Sequence, residues 1–449
     1  MTNGNPAKLI IRFTIPLLIS NLFHQLYNMV DTLIVGRTLG LNALAAVGSC
    51  GSIVFLVLGF ANGMTAGFSI VISQQFGSED EQALQKSFFH SLILSLAAAA
   101  LFTGLSLTFA RKGLMLLRTQ EELLEECVGY VRIIFGGILI SVFSCLFTNV
   151  IRAMGDSRPT LYFNAAACLV NIVLDYTFIR GFGMGVEGAA LATVISQLLV
   201  LVLCVFYMMK KYPALRLERK RCRFEMREAG VQLKLGSAMG LQNSIISVGA
   251  MLVQYALNGI GTTAIAAFSA AQKIEMIAHM PMMSLGTAVT TYVAQNYGAK
   301  KADRIWKGVR QSAYIGIGFG MIMGVVNTLF GGFFASFFIP GQAEAIAFAH
   351  RYLSISSKLY FVLAALYVYR SSLQGVGQSV IPSFAGVMEL VMRATAAIVL
   401  SAKIGFTGIC WANPLAWIGA CVPCVIAYYV TKRRLYKKKF GSAPGAVER

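Results

Sequence analysis

The sequence predicts an all-α integral membrane protein: twelve transmembrane helices in two pseudo-symmetric six-helix bundles around a central cavity. Three observations carry that reading. The 449 residues are 57% hydrophobic and 13% charged, with a mean hydropathy of +0.68, whereas a soluble domain is typically about a quarter charged. Charge-poor runs such as 161–179 and 186–209 recur along the chain, and about 20 apolar residues suffice to cross a bilayer. The chain also repeats itself. Gly40-Leu41-Asn42-Ala43-Leu44-Ala45-Ala46 returns 221 positions later as Gly261-Thr262-Thr263-Ala264-Ile265-Ala266-Ala267, and Gln74-Gln75-Phe76-Gly77 returns as Gln295-Asn296-Tyr297-Gly298 in the same register. Two related halves in a strongly apolar chain point to a transporter whose path lies between them.

Breaks at charged or Gly/Pro clusters place the spans near 11–36, 43–76, 87–110, 127–151, 160–179, 187–209, 235–259, 264–297, 311–338, 346–369, 381–402 and 406–430. Spans longer than needed imply tilt or kinks, and Pro16 and Pro281 inside spans remove backbone donors and bend them. Six spans per half is an even number, so both halves start on the same side, as parallel repeats do. The expected division is a lobe over 1–209, a basic linker over 210–234, a second lobe over 235–431 and a basic tail over 432–449.

Orientation follows from Lys and Arg. The linker, the segment Lys300–Arg310 and the tail hold most of them, all on one side, which the positive-inside rule makes the cytoplasm. A multi-pass plasma-membrane protein with both termini cytoplasmic, in a bacterial inner membrane, is expected. The net charge of +19 is then topological, and no nucleic-acid partner is expected. The first apolar run is a full-length span and not a removable signal. Cys421 and Cys424 fit a CxxC spacing but lie in an apolar helix without a nearby His or acid, so they read as packing residues.

Charges at the bilayer centre cost about 2.5–3.5 kcal/mol each, so those present need a reason. In the first half Asp31 lies six residues inside Arg37 and Asp175 five inside Arg180, roughly 8–9 Å deep at about 1.5 Å per residue. Thr193 lies at a similar depth inside Glu187, and Asn171 is one turn below Asp175 on the same face. This set forms either an oxygen-rich pocket for Na⁺ or a carboxylate pair suited to carrying H⁺. The competing reading is interfacial acids paired with Arg37 or Arg180. In the second half the 221 offset puts Leu252 opposite Asp31; the charged groups there are Lys273 and Glu275 in span eight and Glu389 with Arg393 in span eleven. The last two are spaced i,i+4 and read as a salt bridge, whereas Lys273 and Glu275 point to different faces. His279, one turn after Glu275, shares its surface.

Gln25, Tyr27, Asn28, Gln242, Asn243 and Tyr255, in the first span of each half, together with Glu275 and His279, suit a cavity for amphipathic or cationic compounds.

Ile15-Pro16, Tyr27-Asn28-Met29-Val30-Asp31, Arg152-Ala153-Met154-Gly155-Asp156 and Gly188-Ala189-Ala190-Leu191-Ala192-Thr193 resemble the multidrug and toxic compound extrusion (MATE) transporters over residues 10–432, most closely the DinF-like branch. That resemblance implies a first-lobe cation site at Asp31, Asn171, Asp175 and Thr193. It implies an H⁺- or Na⁺-coupled antiporter that exports drug-like organic compounds by alternating access. Expected partners are a small organic substrate and membrane lipids, with one chain sufficient, no cofactor, and no metal beyond Na⁺ at the cation site. The NorM-like acids on spans seven and ten have no counterpart here. Two other readings stand beside this one. A lipid-linked oligosaccharide flippase shares the two-lobe plan, but the few interior cations argue against it. An integral-membrane enzyme is disfavoured because His24, His90, His279 and His350 are dispersed and no HExxH, GxSxG or P-loop pattern occurs.

Overall fold

The computed structural model describes residues 1–116, 121–217 and 223–439. Arg118, the linker residues Arg219, Lys220 and Arg221, and the end of the basic tail lie outside the described residues. The chain is helical almost throughout: α1 (Pro6–Leu39), α2 (Leu41–Ser78), α3 (Glu81–Leu116), α4 (Glu121–Gly136), α5 (Ile138–Ala153), α6 (Arg158–Tyr176) and α7 (Gly185–Lys211) make the first half. The second half is α8 (Met226–Asn258), α9 (Thr262–Gly298), α10 (Ala302–Ser336), α11 (Ala343–Ser356), α12 (Tyr360–Gly375), α13 (Val380–Thr395), the short α14 (Ser401–Ile404) and α15 (Phe406–Cys410), and α16 (Ala412–Lys439).

The sequence repeat is written into the backbone. Gly40 (φ 90°) and Gly261 (φ 127°) hold positive φ immediately before α2 and α9, a conformation that a Cβ disfavours. The same two helices end at Glu79 (φ 61°) and Lys300 (φ 58°), left-handed non-glycine residues at matching positions of the repeat. Span four is broken at Gly137, where α4 and α5 meet at 48°, and span ten is interrupted by the 3₁₀ turn Ser357–Leu359. Spans five and eleven both run into a π-helical turn, Thr177–Gly181 and Ala396–Leu400. Gly155 (φ 87°) and Gly377 (φ 85°) open the turns before α6 and α13. The residues after these two glycines have different partners. Asp156 accepts from the Lys211 ammonium at 2.5 Å and the Tyr207 hydroxyl at 2.7 Å, whereas Gln378 donates to the Thr431 hydroxyl at 2.9 Å. Burial works to raise the Asp156 carboxyl, but Lys211 and Tyr207 outweigh it and hold it below the usual carboxylate range.

Among the described residues ten helical segments are long and apolar enough to cross a membrane, and the bent α4–α5 pair makes an eleventh. The twelfth is α9, nearly as long as α2 and equivalent to it in the repeat. Gln272, Lys273, Glu275 and His279 make it too polar to qualify by composition.

Packing divides the chain into two units, 15–244 and 1–14 together with 245–449. The division falls inside α1 and α8, beyond the charged linker that the sequence marks. In the first unit α2 packs on α3 and α5, and α7 on α5 and α6, around Phe68, Ile72, Leu146, Val150 and Cys204 on one level and Leu114, Val131, Phe135 and Ile138 on another. In the second, α9, α10, α12, α13 and α16 pack together, with Phe268, Tyr352, Leu353 and Ile409 in the core.

Lipid tails are as apolar as leucine, so close approach of small residues holds such helices together. Gly63 and Gly67 on α2 form a GxxxG pair that meets a second pair, Gly236 and Gly240, on α8. A Cβ on Gly67 would stand 2.6 Å from the Gly236 Cα, and one on Gly63 2.5 Å from the Met239 carbonyl oxygen. Backbone cannot yield as a side-chain tip can. Gly67→Leu is therefore expected to cost about 3 kcal/mol, the upper end of overpacking penalties, read as a lower unfolding temperature in detergent. An equal change at Gly104, where nothing lies within 4 Å, should leave it unmoved.

Candidate cation site

Three helices of the first unit converge on Asp31 (α1), Asp175 (α6) and Thr193 (α7), all buried. The two carboxylates are neighbours close enough to interact directly. The Tyr27 hydroxyl, one turn before Asp31 on α1, lies against Thr193 and interacts electrostatically with both acids. Asn171 is fully buried one turn deeper than Asp175 on α6. The four residues grouped by depth in the sequence thus line one region, and Tyr27, assigned there to a substrate surface, stands among them.

Hydrogen bonding sets this region apart. Asp31 Oδ1, both Asp175 oxygens, and both polar atoms of the Asn171 amide are buried and have no partner among the described residues. A buried carboxylate without a partner costs several kcal/mol. Two of them side by side stay ionised together only when a cation sits between them; otherwise a proton occupies one. Neither Arg37 nor Arg180 relieves them: Arg180 instead donates to the Tyr176 hydroxyl at 2.9 Å and lies over its ring. Carboxylate, amide and hydroxyl oxygens are the ligands a hard cation takes, and the same pair can share a proton. The residues present therefore fit either coupling ion.

The π turn Thr177–Gly181 begins two residues after Asp175. Such turns favour functional sites, although the equivalent turn in the second half accompanies no acid, so it belongs to the repeat first. Tyr130 on α4 also interacts electrostatically with both acids; no sequence signal singles it out. Below the acids, His24, Tyr27, Asn164, Cys168, Thr193 and Gln197 line most of a cavity of about 50 Å³, room for a few water molecules.

The remaining substrate-surface residues lie on α1, α8 and α9. Asn28 turns back on its own helix, donating to the His24 carbonyl at 3.0 Å. Asn243 donates to the Gly59 carbonyl at 3.0 Å in the contact of α8 with α2. Gln242 is buried, Gln25 half-buried, and Tyr255 is 75% exposed. In the second unit Glu275 is buried while Lys273 turns outward, its ammonium 5.7 Å above the Phe338 ring, so the two do face apart. Glu389 pairs with Arg393 at 2.9 Å, as the i,i+4 spacing predicts, and with Arg370 on α12 at 2.8 Å, a partner the sequence does not announce.

A MatE family profile matches residues 16–177 and 238–399, one match in each half. The chain is 30% identical over 384 residues to the probable multidrug resistance protein YpnP of Bacillus subtilis (strain 168), covering 84% of each. It is 21% identical to the multidrug export protein MepA of Staphylococcus aureus (strain NCTC 8325 / PS 47), covering 95% of this chain and 94% of that one. A solved outward-facing multidrug resistance MATE family transporter of the MOP superfamily superposes with a TM-score of 0.88 over 97% of both chains at 23% identity. With the family profile on both halves and the twelve-span fold in common, this multi-pass membrane protein belongs to the MATE family of transporters, which is not a family of enzymes.

Proposed function

We propose that the protein is a cation-coupled exporter of drug-like organic compounds, working by antiport across the plasma membrane with both termini in the cytoplasm. One observation carries the proposal: Asp31 and Asp175 are buried together with three of their four carboxylate oxygens unpartnered. An apolar protein keeps so costly a pair when something binds it. H⁺ or Na⁺ entering from outside would neutralise the pair, and occupancy would favour one conformational state over another. A cation with equal affinity for both states drives nothing. The names of YpnP and MepA support drug-like compounds as cargo, and the Lys/Arg-rich segments support the cytoplasmic placement of the ends. The two halves, 1–209 and 235–431 about the linker 210–234, make a single chain sufficient.

The test is transport by purified protein in liposomes, following ethidium under an imposed H⁺ gradient and then a Na⁺ gradient. Dye movement driven by one gradient and not the other is the expected result and names the coupling ion. Well-folded protein that moves no dye under either gradient would overturn the coupling.

A further inference from the structure

The opening turns of α1 pack in the unit of 245–449, and those of α8 in the unit 15–244. Each is tied down there by one side chain, at matched positions of the repeat. In the unit of 245–449 the Gln311 amide oxygen on α10 accepts from the Ala7 N–H, in the first turn of α1, at 3.1 Å. The residue 221 positions before Gln311 is His90 on α3, and its Nε2 accepts from the Glu225 N–H, just ahead of α8, at 2.8 Å. N–H groups at the start of a helix have no partner within it, so both side chains fill the same need. They differ in one respect. An amide oxygen accepts at any pH, whereas an imidazole nitrogen accepts only while the ring is neutral.

The contacts of His90 fix its state. Nδ1 lies 2.6 Å from the Lys86 carbonyl oxygen, which can only accept, so Nδ1 carries the proton and Nε2 the lone pair. The side chain is fully buried, with the Phe224 ring 5.3 Å away. A second proton would set N–H against N–H in that closed contact. The charges around it offer little relief. Lys86, one turn earlier on α3, holds the Glu225 carboxylate at 2.8 Å and also interacts with Asp80 and Glu228. Asp80 itself accepts from the Ala83 N–H at 2.9 Å. The start of α8 adds the positive end of a helix dipole. Arg223 and Arg227 beside Glu225 are exposed, the turn 213–215 on α3 has no titratable side chain, and α2 and α5 bring Glu79 and Arg152 at this end. Further along α8, Gln232 donates to the Ser87 carbonyl at 2.7 Å and accepts from the Ser91 hydroxyl at 3.0 Å. Neither bond titrates, so α8 stays on α3 whatever the charge of His90.

We propose that His90 is a proton-sensitive latch on the linker between the two halves. Neutral, it holds the segment Phe224–Glu225 against α3; protonated, it lets that segment go, while the Gln311 latch in the other unit stays closed. The sign follows from the lone pair: the contact is present at high pH and is lost as pH falls. With the linker on the cytoplasmic side, as proposed above, an acid cell interior gives the connection between the halves more free length. The latch itself does not depend on the Asp31 pair or on what the protein carries.

Hydrogen–deuterium exchange of the full chain in detergent tests this at about pH 8 and about pH 5, the range over which a histidine changes charge, with rates corrected for intrinsic pH dependence. In the wild type the amides of 224–226 should exchange about tenfold faster at the lower pH, the loss expected for one buried hydrogen bond. The amides of 7–9, held by Gln311, should not change. His90→Gln installs the side chain that the other half carries, and should keep 224–226 protected at both pH values. His90→Leu should leave the segment unprotected at both. An unchanged wild type, or the same acid-induced gain in His90→Gln, would overturn the latch. So would a gain of equal size at 7–9, which would mean general loosening. Should either variant fail to fold, the contrast between 224–226 and 7–9 in the wild type still decides.

Discussion

Asp31→Asn is expected to abolish gradient-driven export while making the protein harder to unfold. Both effects have one cause. The aspartate is buried beside Asp175 with an unpartnered oxygen, so its charge is held at a cost of several kcal/mol. The asparagine amide is nearly the same size, carries no charge and can donate to an Asp175 oxygen. Removing the repulsion should raise stability by about 1–3 kcal/mol, visible as a higher unfolding temperature in detergent. Transport, which needs a cation to be taken up and released, should fall to the level of protein-free liposomes. The two outcomes must occur together. Loss of export with a lower unfolding temperature would mean that Asp31 holds the fold and not the ion. Full export would remove the cation site altogether.

Glu389→Gln should do the reverse to stability. Here the acid is the single anion between Arg370 at 2.8 Å and Arg393 at 2.9 Å, and all three side chains are buried. Taking it away leaves two guanidinium groups facing each other without a counter-charge, a loss of about 3–5 kcal/mol for a broken buried pair. Arg393 has little room to retreat. A Cβ on Gly249 of α8 would lie 2.8 Å from its Nη1, so the guanidinium already fills the space against that helix. The check is thermal unfolding of the variant beside the triple replacement Arg370→Met/Glu389→Leu/Arg393→Met. The triple variant removes the charges together and should recover most of the stability, because a buried ion cluster gains little over apolar packing of similar volume. If Glu389→Gln unfolds at the wild-type temperature, the cluster is not what secures α12 to α13.

Asp31, Asn171, Asp175 and Thr193 were legible in the sequence because a membrane makes depth countable. Each lies a fixed number of helical residues from a charge that must stay near water, and an ionisable group at that depth is conspicuous. The spans and the repeat were legible for the same reason, since lipid enforces length and composition. Partners across helices were not. Glu389 advertises Arg393 by spacing on one helix, but Arg370 reaches it from another helix, and periodicity fixes a face without naming what lies opposite. Tyr130 beside the acids escaped for that reason, as did the glycine pairs of α2 and α8, whose meaning appears only when the two helices touch. Tyr27, an aromatic residue next to amides, fits a substrate contact in the sequence, and its place against Thr193 shows only in the structure.

The polarity of α9 bears on how the protein is made. Eleven spans can each be recognised by the membrane as they leave the ribosome, because each is apolar along its length or becomes so with its bent partner. The helix carrying Gln272, Lys273, Glu275 and His279 falls short of that composition. A charge at mid-membrane is tolerated when neighbouring protein, and not lipid, surrounds it, and the groups that receive Glu275 come from α11 and α16, which are synthesised later. During biogenesis α9 is therefore expected to settle across the membrane only once the C-terminal helices arrive to shelter it. The order of synthesis leaves this one helix dependent on the last part of the chain to be translated.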